Sequence, residues 1–220
     1  MLIVTPSQWL KQLVLKSSLI EYPVCVINNG IDLDTFKYTE SNFRKRLGFE
    51  EKKLLLGVSF DWDDRKGLDV FIELSRRLPD EYRIILVGIS EANMKYLPQN
   101  ITAFRRTQNQ QELAEIYSAV DIFVNPTREE NYPTVNMEAL ACGTPVVTFK
   151  TGGSPEIVDE TCGFVVECDD IDTLEKKIIK VCNEQPFSKE ACLKMARNFD
   201  QNERFEEYVR LYERIDIART

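Results

Sequence analysis

Between Asp121 and Phe149 the chain spells out a strand, a helix and a second strand, with the punctuation of a parallel α/β unit. Asp121-Ile-Phe-Val124 is an apolar run of strand formers stopped by Asn125-Pro126. Pro133 suits the first turn of a helix, where a missing N–H costs nothing. The spacing predicts a helix from Thr134 to Cys142, with Gly143 as its C′ residue and Pro145 blocking continuation. Val146-Val147-Thr148-Phe149 is the next strand. Helices and strands that alternate this way bury their apolar faces by layering helices over a mostly parallel sheet.

The same alternation runs through the chain. Strands are expected at Val24–Ile27, Lys53–Ser59, Arg83–Val87, Ile101–Phe104 and Gly163–Val166. Helices are expected at Leu68–Leu78, where Val70, Phe71, Leu74 and Leu78 share a face, and at Glu91–Tyr96, Gln111–Ala119 and Ile171–Cys182. Ser154-Pro155-Glu156 reads as a capped helix start with proline at its first position. Ser188–Asn198 and Asn202–Ile215 give a helical C-terminus. At the other end Met1-Leu-Ile-Val4 reads as a strand, and Ser7 caps a helix carrying Trp9, Leu10, Leu13 and Val14. The expected architecture is a Rossmann-like doubly wound parallel sheet with a helical C-terminus. The expected division is a linker helix over 1–20, the α/β domain over 21–200 and a terminal helix over 201–220.

At 220 residues with 43% hydrophobic side chains, the chain has the material for one packed domain. A formal charge of −8 and a pI near 4.9 argue against nucleic acid, whose backbone needs a basic face. The same balance gives no indication of contact with an anionic membrane, so an anionic ligand would need a local cluster of positive charge. With no histidine, a His-containing metal site and a Ser-His-Asp triad are excluded. Six cysteines show neither a CxxC pair nor zinc spacing, and Cys25 and Cys142 lie in apolar runs as small core residues. With no signal peptide or membrane span readable, this composition suggests a cytoplasmic protein. No Walker A, G-x-G-x-x-G or G-x-S-x-G motif occurs.

The 19 residues from Asn131 to Phe149 contain one charge, Glu138. An unpaired carboxylate is costly to bury, and no cation stands near it in sequence, so ligand hydroxyls are candidate donors. At 100° per residue Glu138 projects between Thr134, Ala141 and Cys142. Eight positions earlier, Glu130 stands in the loop at the carboxyl end of a strand, where open α/β sheets bind ligands. The N–H groups of Thr134 and Val135 open a helix and suit phosphate. A carboxylate that accepts from a ribose diol, beside phosphate donors, suggests a nucleoside diphosphate. The plainer alternative stays open: Glu130 as a solvated loop acid, Glu138 capping its own helix or paired with a distant arginine.

Arg65-Lys66-Gly67 follows a strand and opens a helix, which makes a diphosphate clamp or an ordinary solvated start flanked by Asp61, Asp63 and Asp64. Asn28-Asn29-Gly30 reads first as a turn. Gly152-Gly153 permits close backbone approach or a tight turn. Arg105 and Arg106 follow the Ile101–Phe104 strand at its ligand-facing end, either against a nucleobase or as an exposed basic loop. Asp169-Asp170 supplies favourable charge at a helix start.

The run Asn125-Pro-Thr-Arg-Glu-Glu-Asn-Tyr-Pro-Thr-Val-Asn-Met-Glu-Ala-Leu-Ala-Cys-Gly-Thr-Pro-Val-Val, followed by Thr151-Gly-Gly-Ser-Pro-Glu-Ile-Val, resembles the donor-binding signature of family-four retaining glycosyltransferases of the GT-B fold. Val26-Ile-Asn-Asn-Gly-Ile-Asp-Leu-Asp-Thr-Phe36 and Arg65-Lys-Gly67 agree with it in order. The resemblance implies the C-terminal, donor-binding half of such an enzyme, with a preceding acceptor-binding domain that this sequence lacks. It implies a sugar moved from a nucleoside diphosphate donor, with no separate cofactor and no metal. Glu138 would hold the ribose, Glu130 the donor sugar, and Lys66 the diphosphate. Tyr132, Pro133, Thr134 and Val135 would flank the donor, Gly30 would lie beside the interdomain cleft, and Arg106 near the base. Relatives often carry an arginine five or six positions before the lysine. Here those positions are Asp61 and Phe60, and Arg65 is the candidate substitute. Two other readings share the architecture: a GT-B-like sugar-nucleotide epimerase, and a non-catalytic nucleotide-binding module.

Overall fold

The protein is described here by a computed structural model covering residues 1–217. The chain opens with β1 (Ile3–Thr5), α1 (Gln8–Val14) and β2 (Val24–Val26), then α2 (Phe43–Leu47). The α/β alternation follows as β3 (Lys53–Val58), α3 (Leu68–Arg77), β4 (Tyr82–Val87), α4 (Glu91–Met94), β5 (Ile101–Phe104), α5 (Gln110–Ala119), β6 (Ile122–Asn125), α6 (Thr134–Ala141), β7 (Val146–Phe149) and β8 (Gly163–Val166). It closes with α7 (Ile171–Glu184), α8 (Lys189–Ala196) and α9 (Gln201–Ile217). The last three residues of the helix expected over 201–220 lie outside the described residues.

Six strands form one wholly parallel sheet in the order β5-β4-β3-β6-β7-β8. Strand order therefore reverses between β3 and β6, the switch point of a doubly wound sheet. Both faces are covered. Phe43 of α2, Ala114 and Tyr117 of α5, Met137 and Leu140 of α6 and Cys192 of α8 lie in the core against one face. Val70, Phe71 and Leu74 of α3 and Leu174, Ile178 and Val181 of α7 lie against the other. Leu54, Leu55 and Leu56 are buried on successive faces of β3, the pattern of a strand with helices on both sides.

Several expectations are corrected. β2 pairs with β1 in a separate two-stranded parallel sheet and does not join the main one. Pro133 is the N-cap of α6, in extended conformation (φ −73°, ψ 113°), with no side chain capping the helix. Ser154-Pro155-Glu156 forms a single 3-10 turn preceded by Gly153. Ser154 caps nothing; it is buried, its hydroxyl has no partner among the described residues, and the turn ends at Ile157, which is committed to the core. Asn28-Asn29-Gly30 forms neither a turn nor regular structure, and the Asn28 side chain donates to the Pro6 carbonyl at 2.8 Å. Cys142 is buried as expected, whereas Cys25 is half-buried.

Candidate nucleotide-binding site

Two loops leave the carboxyl ends of the switch-point strands, residues 59–67 after β3 and 126–133 after β6, and both are held in place by backbone geometry. Lys66 ends a 3-10 turn (Asp64–Lys66) capped by the Asp63 carboxylate, which accepts from the Lys66 N–H at 3.0 Å. Gly67 follows at φ +74°, with the Pro126 carbonyl only 2.5 Å from where a Cβ would sit, so only glycine fits. The loops are stitched together: Arg128 N–H donates to the Arg65 carbonyl at 2.7 Å, and the Arg128 guanidinium pairs with Asp69 and Asp169 at 2.8 Å. Behind them Gly152, at φ +53°, packs its Cα against the Glu130 carbonyl.

Between the loops lies a cavity of about 480 Å³, lined by Lys66, Arg65, Glu130, Tyr132, Pro133, Thr134, Val135 and Asn29 among others. A second, of about 510 Å³, is lined by Glu138, Arg105, Arg106, Ser90 and Gly88. The two share Val58, Ser59, Phe60, Asp61 and Val135, which makes them one elongated cleft running across the start of α6. Seven of the expected site residues therefore lie at one end, and Glu138 and Arg106 at the other. Gly30 is the exception. Its Cα abuts the backbone of Gln201 at the start of α9, where a Cβ would come within 2.6 Å, and Asn29 takes its place in the cavity wall.

At the first end the Lys66 ammonium lies 3.0 Å from Glu130 Oε2, while Glu130 Oε1 accepts from the Asn131 N–H at 2.9 Å. Arg65 is turned outward: its guanidinium pairs with Asp63 at 2.8 Å, and the side chain is largely exposed. Hydrogen bonding to Asp63 raises the Arg65 pKa, and hydrogen bonding to Arg65 lowers that of Asp63. Neither Asp61 nor Phe60 supplies the cation that relatives often carry there; Phe60 is fully exposed at the rim. The first turn of α6 contains no acidic residue, so no carboxylate within that turn offsets its positive end.

At the second end the sequence had left the donor to Glu138 open. The structure supplies one: the Tyr117 hydroxyl, 3.1 Å from Oε2. Burial holds the Glu138 pKa above the ordinary carboxylate value, opposed by hydrogen bonds from Tyr117 and Thr134. Burial also raises the Tyr117 phenol, with the Glu138 charge adding to it. Tyr117 escaped the sequence reading because it sits 21 residues away, on the core face of α5. A tyrosine among apolar residues signals that its hydroxyl needs a partner, but not which one. Trp62, which lines the first end and donates its indole N–H to the Val87 carbonyl at 2.9 Å, was missed for the same reason. Among the described residues no cluster of three metal-ligating side chains is present, and no helix is long and apolar enough to cross a membrane.

Comparison with known proteins fits this geometry. Over 176 residues the chain is 30% identical to the GDP-mannose-dependent monoacylated alpha-(1-6)-phosphatidylinositol monomannoside mannosyltransferase of Corynebacterium glutamicum, covering 71% of this chain and 46% of that protein. It is 31% identical over 158 residues to the processive diacylglycerol alpha-glucosyltransferase of Acholeplasma laidlawii, covering 66% and 47%. The chain thus spans less than half the length of these curated relatives. In fold it is similar to sucrose-phosphate synthase from Thermosynechococcus elongatus, with TM-score 0.86, 21% identity and coverage of 99% of this chain and 59% of that one. It is also similar to Anabaena HepE solved in complex with UDP, with TM-score 0.83, 20% identity and coverage of 96% and 63%. The six-stranded unit is the Rossmann-like half of a GT-B fold. Residues 39–204 match the family model for glycosyl transferases group 1, and the chain belongs to that family.

Proposed function

We propose that this chain is the donor-binding half of a retaining glycosyltransferase that moves a sugar from a nucleoside diphosphate to an acceptor, in bacterial polysaccharide or glycan synthesis. One observation carries the reading: a single cleft at the switch point joins Lys66 and Glu130 to Glu138 across the open start of α6. That span suits a ligand with a sugar and diphosphate at one end and a nucleoside at the other. Relatives support the donor class. One acts on GDP-mannose by its name, and Anabaena HepE has been solved with UDP-glucose.

In this reading the diphosphate meets the N–H groups of Thr134 and Val135 and the ammonium of Lys66. These groups stabilise the charge that grows on the leaving diphosphate as the glycosidic bond breaks. Glu130, once Lys66 turns to phosphate, accepts from a hydroxyl of the donor sugar. Glu138 accepts from the ribose diol and Arg106 lies beside the base. Tyr132 and Pro133 hold the loop against the sugar, and Arg65 supplies field at the rim. No resident metal or cofactor is part of the mechanism. The acceptor is held by a second, N-terminal domain, and the enzyme works in the cytoplasm.

The testing experiment is a thermal-shift panel of UDP, GDP, ADP and their sugars. A ligand that binds only the native state raises the melting temperature. No shift with any of them at millimolar concentration would sink the reading. Product analysis separates transfer from epimerisation: appearance of a new sugar nucleotide without acceptor would favour the epimerase.

A further inference from the structure

We propose that Tyr117 is the positioning residue for Glu138, and that its hydroxyl sets the preference of this cleft for ribonucleotides over 2′-deoxyribonucleotides. This rests on the reading of Glu138 as the ribose acceptor.

The geometry carries it. Among the described residues Glu138 has no cationic partner within ion-pair distance, so hydrogen bonds alone must orient it. The Tyr117 hydroxyl donates to Oε2 at 3.1 Å. That hydroxyl is itself fixed. The Tyr117 side chain is fully buried, edge-on to Phe123 at 5.4 Å and to Phe36 at 6.4 Å between ring centroids. The Tyr117 carbonyl accepts from the Thr144 hydroxyl at 2.6 Å, which anchors the last turn of α5 to the turn after α6. A clamped phenol therefore points at one oxygen of a carboxylate on a neighbouring helix.

A tyrosine hydroxyl has one proton to give, and an ionised carboxylate has about four acceptor positions. Tyr117 fills one of them and the Thr134 hydroxyl a second, which leaves about two for a ligand. A vicinal diol needs two of these in a set orientation; a 2′-deoxyribose offers only one hydroxyl. Without the phenol the carboxylate loses both its anchor and a donor that favours its charge. It would then rotate, and protonate at higher pH, and a protonated acid has lost an acceptor. The charged and titratable groups around Glu138 are Tyr117 from α5, Cys142 on α6 itself, and Arg105, Arg106 and Asp61 in the cavity wall. Tyr117 and the Thr134 hydroxyl are the two that lower the Glu138 pKa.

The test compares the tightest-binding of UDP, GDP and ADP with its 2′-deoxy counterpart by calorimetry on this chain. Tyr117→Phe keeps the ring and removes only the hydroxyl. Ribonucleotide affinity should fall by about 2- to 10-fold, the range for one hydrogen bond, with deoxynucleotide affinity nearly unchanged. The pH at which the ribose preference fades should also move upward. In a Glu138→Gln background the same substitution should leave the ratio where it was. An unchanged ratio and pH midpoint in Tyr117→Phe, or an equal loss in both backgrounds, would overturn the proposal. A wild-type readout covers a variant that fails to fold. The buried Tyr117 hydroxyl should give an exchange-protected proton resonance that shifts with the ribonucleotide more than with its deoxy counterpart, and equal shifts would overturn the assignment. A wild-type chain that binds no nucleotide sinks the nucleotide site and this proposal with it. Binding with an unaffected ratio sinks the role of Tyr117 alone.

Discussion

The Lys66 ammonium lies 3.0 Å from Glu130 Oε2, so the cation proposed for phosphate and the acid proposed for the sugar neutralise one another. In the proposed function, donor binding exchanges this ion pair for two ligand contacts. The pair is part-exposed, 36% at the lysine and 18% at the glutamate, and separating it costs on the order of 1 kcal/mol or less. The pair thus holds Lys66 near its working position without holding it shut.

Two substitutions at this pair should act in opposite directions. Lys66→Ala should narrow the affinity gap between nucleoside diphosphate and bare nucleoside, because only the former presents phosphate. Glu130→Gln should free Lys66 and tighten a sugar-free nucleoside diphosphate by about 2- to 5-fold. Calorimetry on both ligands checks the pair; equal weakening of nucleoside and diphosphate by Lys66→Ala would mean that the lysine acts through the fold.

Glu138→Ala should weaken nucleoside diphosphate binding by about 1–3 kcal/mol, the range for a charge-assisted or buried hydrogen bond. It should not change the affinity for inorganic diphosphate. Unchanged nucleotide affinity in a folded variant would remove Glu138 from the ribose site.

The same residue should cost the fold stability at neutral pH. Burial raises the Glu138 pKa in the folded state. Between the unfolded and folded values the native state binds more protons, so stability falls as pH rises through that window. Glu138→Gln, which removes the charge at constant shape, should therefore melt above wild type at pH 7, with the difference closing below the unfolded carboxylate pKa. Melting curves from pH 3 to 8 check this, and a variant less stable than wild type at pH 7 would contradict it.

Gly152→Ala should damage the site from behind. A Cβ there would come 1.6 Å from the Glu130 carbonyl, at φ +53°. The loop must move, at a backbone cost of about 1–3 kcal/mol. We expect lower stability together with weaker binding of the nucleotide sugar. A melting temperature and affinity equal to wild type would show that the Glu130 loop is not held by this contact.

The chain alone should bind its nucleotide but not transfer sugar. Phe205, Val209 and Tyr212, at i, i+4 and i+7 on α9, are each more than half exposed, an apolar stripe suited to cover by another domain. Closure of two domains is what excludes water and orients an acceptor. Sustained transfer to an added acceptor by residues 1–220 would refute the half-enzyme reading.

Local chemistry fixed the elements. Gly143 takes φ +82° after α6, as its position before Pro145 required, and Gly163–Val166 and Ile101–Phe104 are strands with the expected ends. A parallel strand buried on both faces reads as an apolar run, and caps and breakers act within a few residues. Glu138 was legible too, as the one charge in an apolar run. What the sequence could not contain was pairing at a distance. Val24–Val26 is as good a strand as any in the main sheet, and only the register with Ile3–Thr5 assigned it elsewhere. Asn29 and Gly30 are neighbours in one motif, yet the packing of α9 against Gly30 turned the second away from the cleft and left the first in its wall. Tyr117 met Glu138 because α5 and α6 pack on the same face of the sheet, and Lys66 met Glu130 because β3 and β6 are adjacent. Residue type and spacing decide what a segment can form and which groups carry chemistry. Which of those groups touch is decided by strand order and helix packing, through contacts between residues 21 and 64 positions apart.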